Sequence, residues 1–492
     1  MGIVQRQTIK GSIYSYLGVI VGFVTTSYLF PRYLKPDIIG LFGLLIAYST
    51  LLGQFSLLGM QGVTSRLFPY FRDKKSGHHG FLTIAFIFIA MGFFLFLVLY
   101  FIFSPWLISN NLEKSRLFSD YVYLLIPLTF FSMLFYFFDT YNKVLYDAVF
   151  GLFLQEFVQR LLILAITLGF IFHLLSLSQL IIWYVIVLCV KSVIIIVYLY
   201  RRGEISFHGD FGFLTRSLKK EIIDVAFFSI LSGMGSMIVF NIDKIIINQI
   251  LDLSETGIYT IAFYFGTLVV IPSRPLLKIS GTLIADAWAK NDLSQIRDIY
   301  YKSCINQFII GGFLFLGLWA NIDNILTILG PEYQQSKWAI FFIGIAYLFD
   351  MLTGANTQVI AFSKHYRVSL YFIAILLVIV SGLLFLLIPV WGIVGAAAAI
   401  AGGMFLNNLM RYFFLYKKFG LQPFNRNFIF LFLFFTGLYF LLSFVPQLAL
   451  IPDILARGVL ITITTSLFLY FVPISDDVKN IFKRLTEKIK VN

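Results

Sequence analysis

The sequence predicts an all-α polytopic membrane protein of about fourteen transmembrane helices, built from two copies of one unit. Three observations lead there. Mean hydropathy is +0.89, hydrophobic residues make up 59% of the 492 and charged ones 12%, about half the usual charged share. The apolar residues come in solid runs, many of them near the roughly 20 residues a helix needs to cross a bilayer. A β-barrel is excluded, because its strands alternate in segments of about 10 residues. The third observation is a repeat. YLKPDIIGLF over 33–42 aligns with ILDLSETGIY over 250–259 at an offset of 217, pairing Leu34 with Leu251, Gly40 with Gly257 and Phe42 with Tyr259. Both copies read as apolar helix, polar turn ending in Gly, second apolar helix. The second copy starts near residue 222.

In chain order the expected spans are 11–30, 40–62, 81–103, 120–139, 155–174, 179–200, 223–249, 257–279, 302–321, 337–356, 367–389, 393–415, 428–446 and 455–473. The polar start MGIVQRQTIKGS has no small-residue cleavage motif after the run that follows, so that run reads as a retained span. Arg6 breaks the myristoylation pattern. Pro127 is expected to kink span 4. IPSRP over 271–275 is expected to bend or break span 8. The Gly/Ala run after Pro389 lets spans 11 and 12 approach closely. Spans 13 and 14 are rich in Phe and Leu, with no ionisable residue expected well inside. The tail from Asp476 carries KNIFKRLTEKIK, a basic amphipathic surface helix.

An even count puts both termini on one side. With that side cytoplasmic, 30 of the 37 Lys and Arg residues fall inside, as the positive-inside rule requires. The net charge of +13 is therefore mostly a topology signal, and no nucleic-acid partner is expected. The loop around Arg66, Arg72, Lys74 and Lys75, and amphipathic stretches at 140–155 and 281–301, read as inner-leaflet anchors or as contacts for an anionic lipid headgroup. By this reading no extramembrane segment exceeds about 30 residues, and no G-x-x-x-x-G-K-S/T motif occurs. An ATP-binding or large outer domain is excluded. Cys189 and Cys304 suggest neither a disulfide framework nor a metal site. His78, His79, His173, His208 and His365 form no ligand spacing. No catalytic residue, metal or cofactor is expected.

Ionisable residues at membrane depth are costly and carry the functional signal. Lys191, in LCVKSVIII, sits about 18 Å into span 6, near the midplane. It reads either as the partner of a carboxylate or as an anion site in a wet cavity. Asp243 and Lys244 point about 100° apart. Lys244 shares a face with Asn241 and Asn248, and Asp243 shares one with Ser229, so span 7 reads as lying beside an aqueous path or snorkelling outward. Arg274, at the double-proline bend, suits a phosphate or an interfacial anchor, with Lys278 one turn on. Asp350 and Asp139 are the acidic counterparts. Each reads as a proton or Na+ carrier, or as a neutralising partner.

With these residues in view, the chain resembles the polysaccharide flippases (O-antigen, Wzx-type) of the multidrug/oligosaccharidyl-lipid/polysaccharide exporter superfamily. The resemblance rests on RYLKPDIIGLF over 32–42, NIDKIII over 241–247 followed by GIY, LGPEY over 329–333 and WGIVGAA over 391–397, in order along nearly the whole chain. It implies two pseudo-symmetric six-helix lobes, here 1–221 and 222–420, with an added pair over 421–475 and the tail 476–492. It implies a cationic cavity opening to one side at a time. The implied cargo is a polyprenyl-diphosphate-linked oligosaccharide, moved to the periplasmic leaflet of a bacterial inner membrane, with both termini cytoplasmic. Lys191, Arg274 and Lys278 fit the diphosphate by charge and depth. Asp243, Lys244, Asp350 and Asp139 fit cavity or ion-coupling roles, for Na+ or H+. Membrane lipid and a polysaccharide polymerase are the other expected partners. Span 1 has no basic residue between Lys10 and Arg32 and so departs from relatives with an Arg there. Competing readings are a multidrug antiporter of the same superfamily, a membrane polysaccharide polymerase or ligase, and an ion-coupled nutrient carrier. The carrier and enzyme readings want unwound midplane helices or a long outer loop.

Overall fold

The computed structural model describes residues 3–207, 211–239, 241–472, 474–475 and 477–479. Among these, every regular element is helical, as expected of a chain whose backbone must satisfy itself in lipid. His208, and the tail helix expected over 476–492 beyond Lys479, lie outside the described residues.

α1 (Ile3–Gly22) runs through a π-helical stretch, Phe23–Leu29, into α2 (Phe30–Tyr33). α3 (Pro36–Ser56) starts on Pro36, whose missing N–H is free to be absent in a first turn. α4 (Met60–Phe71) and α5 (Phe81–Asn111) follow. α6 (Arg116–Tyr121) and α7 (Leu125–Val144) are separated by a 3-10 turn, Val122–Leu124. Pro127 sits just past that break, where its ring would otherwise meet the carbonyl four residues back. α8 (Val149–Leu152) passes through a second π stretch, Phe153–Val158, into α9 (Gln159–Ile171). α10 (Leu177–Arg201) begins on a capping box in which Ser176 and Gln179 satisfy each other's backbone.

The second copy opens with α11 (Arg216–Val239), α12 (Ile242–Ile250) and α13 (Leu253–Thr267). A 3-10 turn, Leu268–Val270, and Pro272 end that run before α14 (Ser273–Ala289), so the expected break in span 8 is present. Then come α15 (Leu293–Ala320), α16 (Ile322–Leu329), α17 (Lys337–Leu352) and α18 (Asn356–Phe362). α19 (Val368–Phe419) is a 52-residue run folded back at Gly392, where φ is 56° and ψ −136°. Only glycine adopts that backbone freely. The limbs are the expected spans 11 and 12. They pack through Gly395 on the Leu387 carbonyl and Gly403 on Val380, because small residues let backbones close on each other. α20 (Arg426–Ser443) and α21 (Leu450–Phe471) finish the chain.

Eleven helices among the described residues are long and apolar enough to span a membrane, twelve with the bent α17–α18 pair. That is fewer than the fourteen expected. Part of the gap is α19, counted once although it doubles back. Another part is the expected span 223–249, which forms two helices, α11 and α12. The amphipathic stretches at 140–155 and 281–301 are not helices of their own. Residues 140–144 finish α7. Residues 281–301 split between α14 and α15 at Asp292, whose carboxylate caps the Gln295 N–H. Large apolar side chains face outward, with Phe94 68% and Phe444 82% exposed, the arrangement lipid requires and water does not tolerate.

Two compact units divide the chain, Met1–Thr260 and Ile261–Asn492. In the first, α7 is central and packs on α3, α4 and α10, while α11 and α12 lie on α3. Its core is aromatic near the α4 and α7 ends, with Phe68, Phe71, Phe137 and Tyr141 fully buried. In the second, α17 packs between α15 and α19, and α20 and α21 lie on α15. The sequence expectation places the second copy from near 222, whereas packing divides after Thr260, because α11 and α12 rest on α3 and α4.

α21 begins earlier than expected and takes Asp453 and Arg457 into its first two turns. Both are buried. Arg457 Nε donates to Asp453 Oδ2 at 2.8 Å, and its other nitrogens donate to the Leu442 and Val445 carbonyls that end α20. Asn324 donates to the same carboxylate at 2.6 Å. Removing one buried partner strands the other charge. Asp453→Leu is expected to lower the melting temperature of the purified protein. The double variant Asp453→Leu/Arg457→Leu is expected to recover part of that loss, and no recovery would show that the pair itself is not what the site needs.

Candidate functional site

Charge in the first unit gathers on α7, the π stretch of α8–α9, and α10. Lys191 lies on α10, 14 residues from its start, about 21 Å along the helix axis. Its Nζ is 4.6 Å from the centre of the Phe135 ring, a cation–π contact. The carboxylates of Glu156 and Asp139 act on it through space, yet each is paired with a base of its own. Glu156 holds Arg160 at 2.7 Å, and Asp139 pairs with Lys143. Among the described residues, three basic side chains thus share two carboxylates, and Lys191 is the one outside both ion pairs. Arg160 also donates to the Gly18 carbonyl at 2.9 Å, tying α1 to α9. π-bulges recur at functional sites, and here one carries Glu156 itself.

At the other end of this unit, Asp243 is fully buried. Its Oδ2 accepts from the Tyr259 hydroxyl at 2.7 Å, and its Oδ1 accepts from the Lys244 N–H at 2.8 Å. Asn248 is buried too. It accepts from Ser115 at 2.5 Å and donates to Asn111 at 2.7 Å, while Lys114 donates to the carbonyls of Gln249 and Ile250. These polar groups of span 7 therefore meet protein partners on α5, α6 and α13. Lys244 is half-buried.

Beside this cluster the repeat becomes a contact. Gly40 of α3 lies against Leu253 and Gly257 of α13, and Gly257 lies against Pro36 and Gly40. At the offset of 217, Pro36 corresponds to Leu253 and Gly40 to Gly257. Residue i touches the equivalent of j, and j touches the equivalent of i, the self-complementary pattern of a two-fold contact. A Cβ on either glycine would overlap a backbone carbonyl across the interface.

In the second unit, Arg274 and Lys278 are both exposed on α14, one turn apart and so on one face. Their helix is pinned at Ser273, whose hydroxyl donates to Gln307 Oε1 at 2.6 Å. Asp350 sits at the α17–α18 break. Its Oδ1 accepts from Asn408 Nδ2 at 3.1 Å. Asn408 Oδ1 in turn accepts from Thr353 at 3.1 Å and Asn356 at 2.9 Å. Thr357 donates to Asn356 and accepts from Arg411 at 2.8 Å. The Thr353 hydroxyl also donates to the Phe349 and Asp350 carbonyls at the end of α17. Asn408 and Arg411 had a legible signal, two polar residues inside the apolar run of α19, but their link to Asp350 needs the fold.

A further cluster lies outside the spans. His78 is buried, with Nε2 3.2 Å from Glu204 Oε2, and Lys74 pairs with Glu204 Oε1 at 2.8 Å. Burial resists ionisation of Glu204, but the Lys74 and His78 bonds outweigh it and hold its pKa below the ordinary carboxylate value. Its contribution to stability is thus present above pH 4.5 and lost as pH falls through the lower folded value. Sequence reading placed His78 in a plain polar loop. Among the described residues no group of His, Cys, Asp and Glu is arranged to hold a metal.

The family model for polysaccharide biosynthesis proteins matches residues 6–284. No curated protein matches the chain. Among solved structures the chain is similar to the lipid II flippase MurJ in an inward closed conformation, with a TM-score of 0.76 and 14% identity, over 94% of this chain and 99% of that one. It is also similar to a multidrug resistance MATE family transporter of the MOP superfamily. The inward-facing form gives a TM-score of 0.62 at 13% identity, over 83% of this chain and 94% of that one. The outward-facing form gives 0.52 at 13% identity, over 84% and 95%. At these identities the likeness is one of fold.

The glycine crossing is open to a stability test. Gly40→Val and Gly257→Val are each expected to lower the melting temperature clearly. Gly382→Ala, whose added Cβ meets open space, is expected to leave it unchanged. Equal melting for all three would show that the crossing carries no load.

Proposed function

Because the chain belongs to the polysaccharide biosynthesis protein family, we propose that it is a flippase for a polyprenyl-diphosphate-linked oligosaccharide. It moves the cargo from the cytoplasmic to the periplasmic leaflet of a bacterial inner membrane, by alternating access, and both its termini are cytoplasmic. The product feeds surface polysaccharide synthesis, and a polysaccharide polymerase is the natural consumer. What supports this reading is Lys191 on α10, outside the ion pairs of Asp139 and Glu156 and against the Phe135 ring, in a fold similar to that of a lipid flippase. A cation unneutralised in hydrocarbon is retained at a cost. A diphosphate headgroup repays that cost when it arrives.

Lys191 in the first unit and the Arg274–Lys278 pair in the second each bind phosphate oxygens in this account. The arginine fork is suited to bidentate contact. The repeat units, 1–221 and 222–420, act as the two lobes, with 421–475 as an appended pair. Asp350, held by Asn408, and Asp139, held by Lys143, are the candidates for Na+ or H+ coupling. Asp243 and Lys244 are assigned cavity-polar or ion-coupling roles, with the Asp243 carboxylate accepting from the Tyr259 hydroxyl of α13. No step requires a covalent intermediate, so no catalytic residue is assigned.

The likeness to MATE transporters supports a second reading, a multidrug antiporter. The leftover charge argues against it, since Lys191 is positive and suits an anion better than a cationic drug.

Single replacement of Lys191, Arg274 or Lys278 by Ala is expected to abolish or sharply reduce surface polysaccharide while the protein stays in the membrane at wild-type level. Normal export by all three variants would sink the cationic-site account. Replacing Asp350 with Asn is expected to flatten the dependence of export on the Na+ or proton gradient. A variant that keeps the wild-type ion dependence would remove Asp350 from coupling.

A further inference from the structure

A groove of about 700 Å³ opens on the first unit, and none of the charged residues discussed for cargo lines it. It runs between residues 86–97 of α5, 130–138 of α7 and 196–200 of α10, and its walls are apolar throughout. The eleven steps from Phe86 to Leu97 along α5 cover about 16 Å. That is close to half of a hydrocarbon core about 30 Å thick, so the groove is one leaflet deep. It begins where α5 starts and where α7 and α10 end, which fixes the side of the membrane it belongs to. Phe94, exposed to lipid, lines it together with Ala90 and Leu97.

The end of the groove at the membrane surface is built, not open. After α10 the chain turns back, and Ile205 and Phe207 close the groove's end. Phe207 meets Phe86 edge-on with ring centres 5.1 Å apart. The turn is held by Glu204, which binds Lys74 and His78, and by Lys74, which also donates to the Arg202 carbonyl at 2.8 Å. The same turn therefore supplies both the apolar closure and two exposed basic side chains, Arg201 and the Glu204-paired Lys74. Arg201 is exposed and directly follows Tyr200, a groove-lining residue. The Lys74 side chain is 58% exposed while its ammonium is anchored at the turn. An apolar slot one leaflet deep, ending at exposed arginine and lysine, matches one molecule class in length and charge.

We propose that this groove is a binding site for an anionic glycerophospholipid of that leaflet. One acyl chain fills the slot between α5, α7 and α10. The phosphate lies at the level of Arg201 and Lys74. This site would exist whatever the cargo, since it shares no residue with Lys191, Arg274 or Lys278. Its bound lipid ties the turn after α10 to the bundle, at the point where the chain leaves the first repeat.

The test uses the purified full chain, stripped of lipid in mild detergent, with phosphatidylglycerol as probe and phosphatidylcholine as reference, read by native mass spectrometry. Wild type is expected to hold one phosphatidylglycerol preferentially. Arg201→Gln is expected to lower that preference about five-fold, the worth of one cation near an anionic surface. Ala90→Trp fills the slot from an exposed position and is expected to lose the adduct. Ile87→Trp, equally exposed but outside the lining, serves as the folding control and is expected to keep it. Equal adducts on Ala90→Trp and Ile87→Trp would overturn the proposal. So would a wild-type protein that takes both lipids equally. Recovery of a polyprenyl lipid from the groove, not displaced by phosphatidylglycerol, would also overturn it and make the groove a cargo-tail site.

Discussion

A charge in hydrocarbon must be paired, solvated or useful, and this constraint organises the whole chain. It sets where helices break and which side chains pack together. Glu156 with Arg160, Asp139 with Lys143 and Asp453 with Arg457 are all i, i+4 pairs, the spacing a helix offers without help from the fold. Pairing within one helix lets each insert as a near-neutral unit. Lys191 stands out because its neighbours are already taken. Phe135 gives it a ring face, a weaker partner than a carboxylate. The account of function rests on that leftover charge.

The backbone obeys the same rule. Breaks occur at Pro272, at Gly354 and before Pro127, and near the α17–α18 break the Thr353 hydroxyl donates to the Phe349 and Asp350 carbonyls. The crossing of α3 and α13 goes further, bringing two backbones together at Gly40 and Gly257 with no side chain between them. Because the two glycines occupy equivalent places in the repeat, the contact is symmetric.

Much of this was legible in the sequence. Solid apolar runs gave the helical membrane class, and an offset of 217 between Gly40 and Gly257 gave the repeat. Pro127 and the prolines around Arg274 marked real breaks, because proline acts locally. Other features depended on distance through space. The turn at Gly392 fell where WGIVG suggests, yet only the fold shows both limbs as one folded run. Asp350 stood out as an acid in an apolar run, but Asn408 lies 58 residues on and joins it through a bend. Asp453 escaped notice because α21 starts before residue 455, and Arg457 read only as an outer-side cation until the fold joined the two. His78 looked like loop polarity until Glu204, 126 residues away, closed on it.

The central claim is that this chain carries a diphosphate-linked sugar head across a bilayer. The direct measurement places the purified protein in vesicles whose inner leaflet alone holds a labelled polyprenyl-diphosphate oligosaccharide. An impermeant reagent that modifies the sugar then reads how much has crossed. The account predicts that the accessible fraction rises with time and with the amount of protein, under an ion gradient if coupling requires one. A fraction no greater than in protein-free vesicles, with and without Na+ and proton gradients and with correctly folded protein, would contradict it.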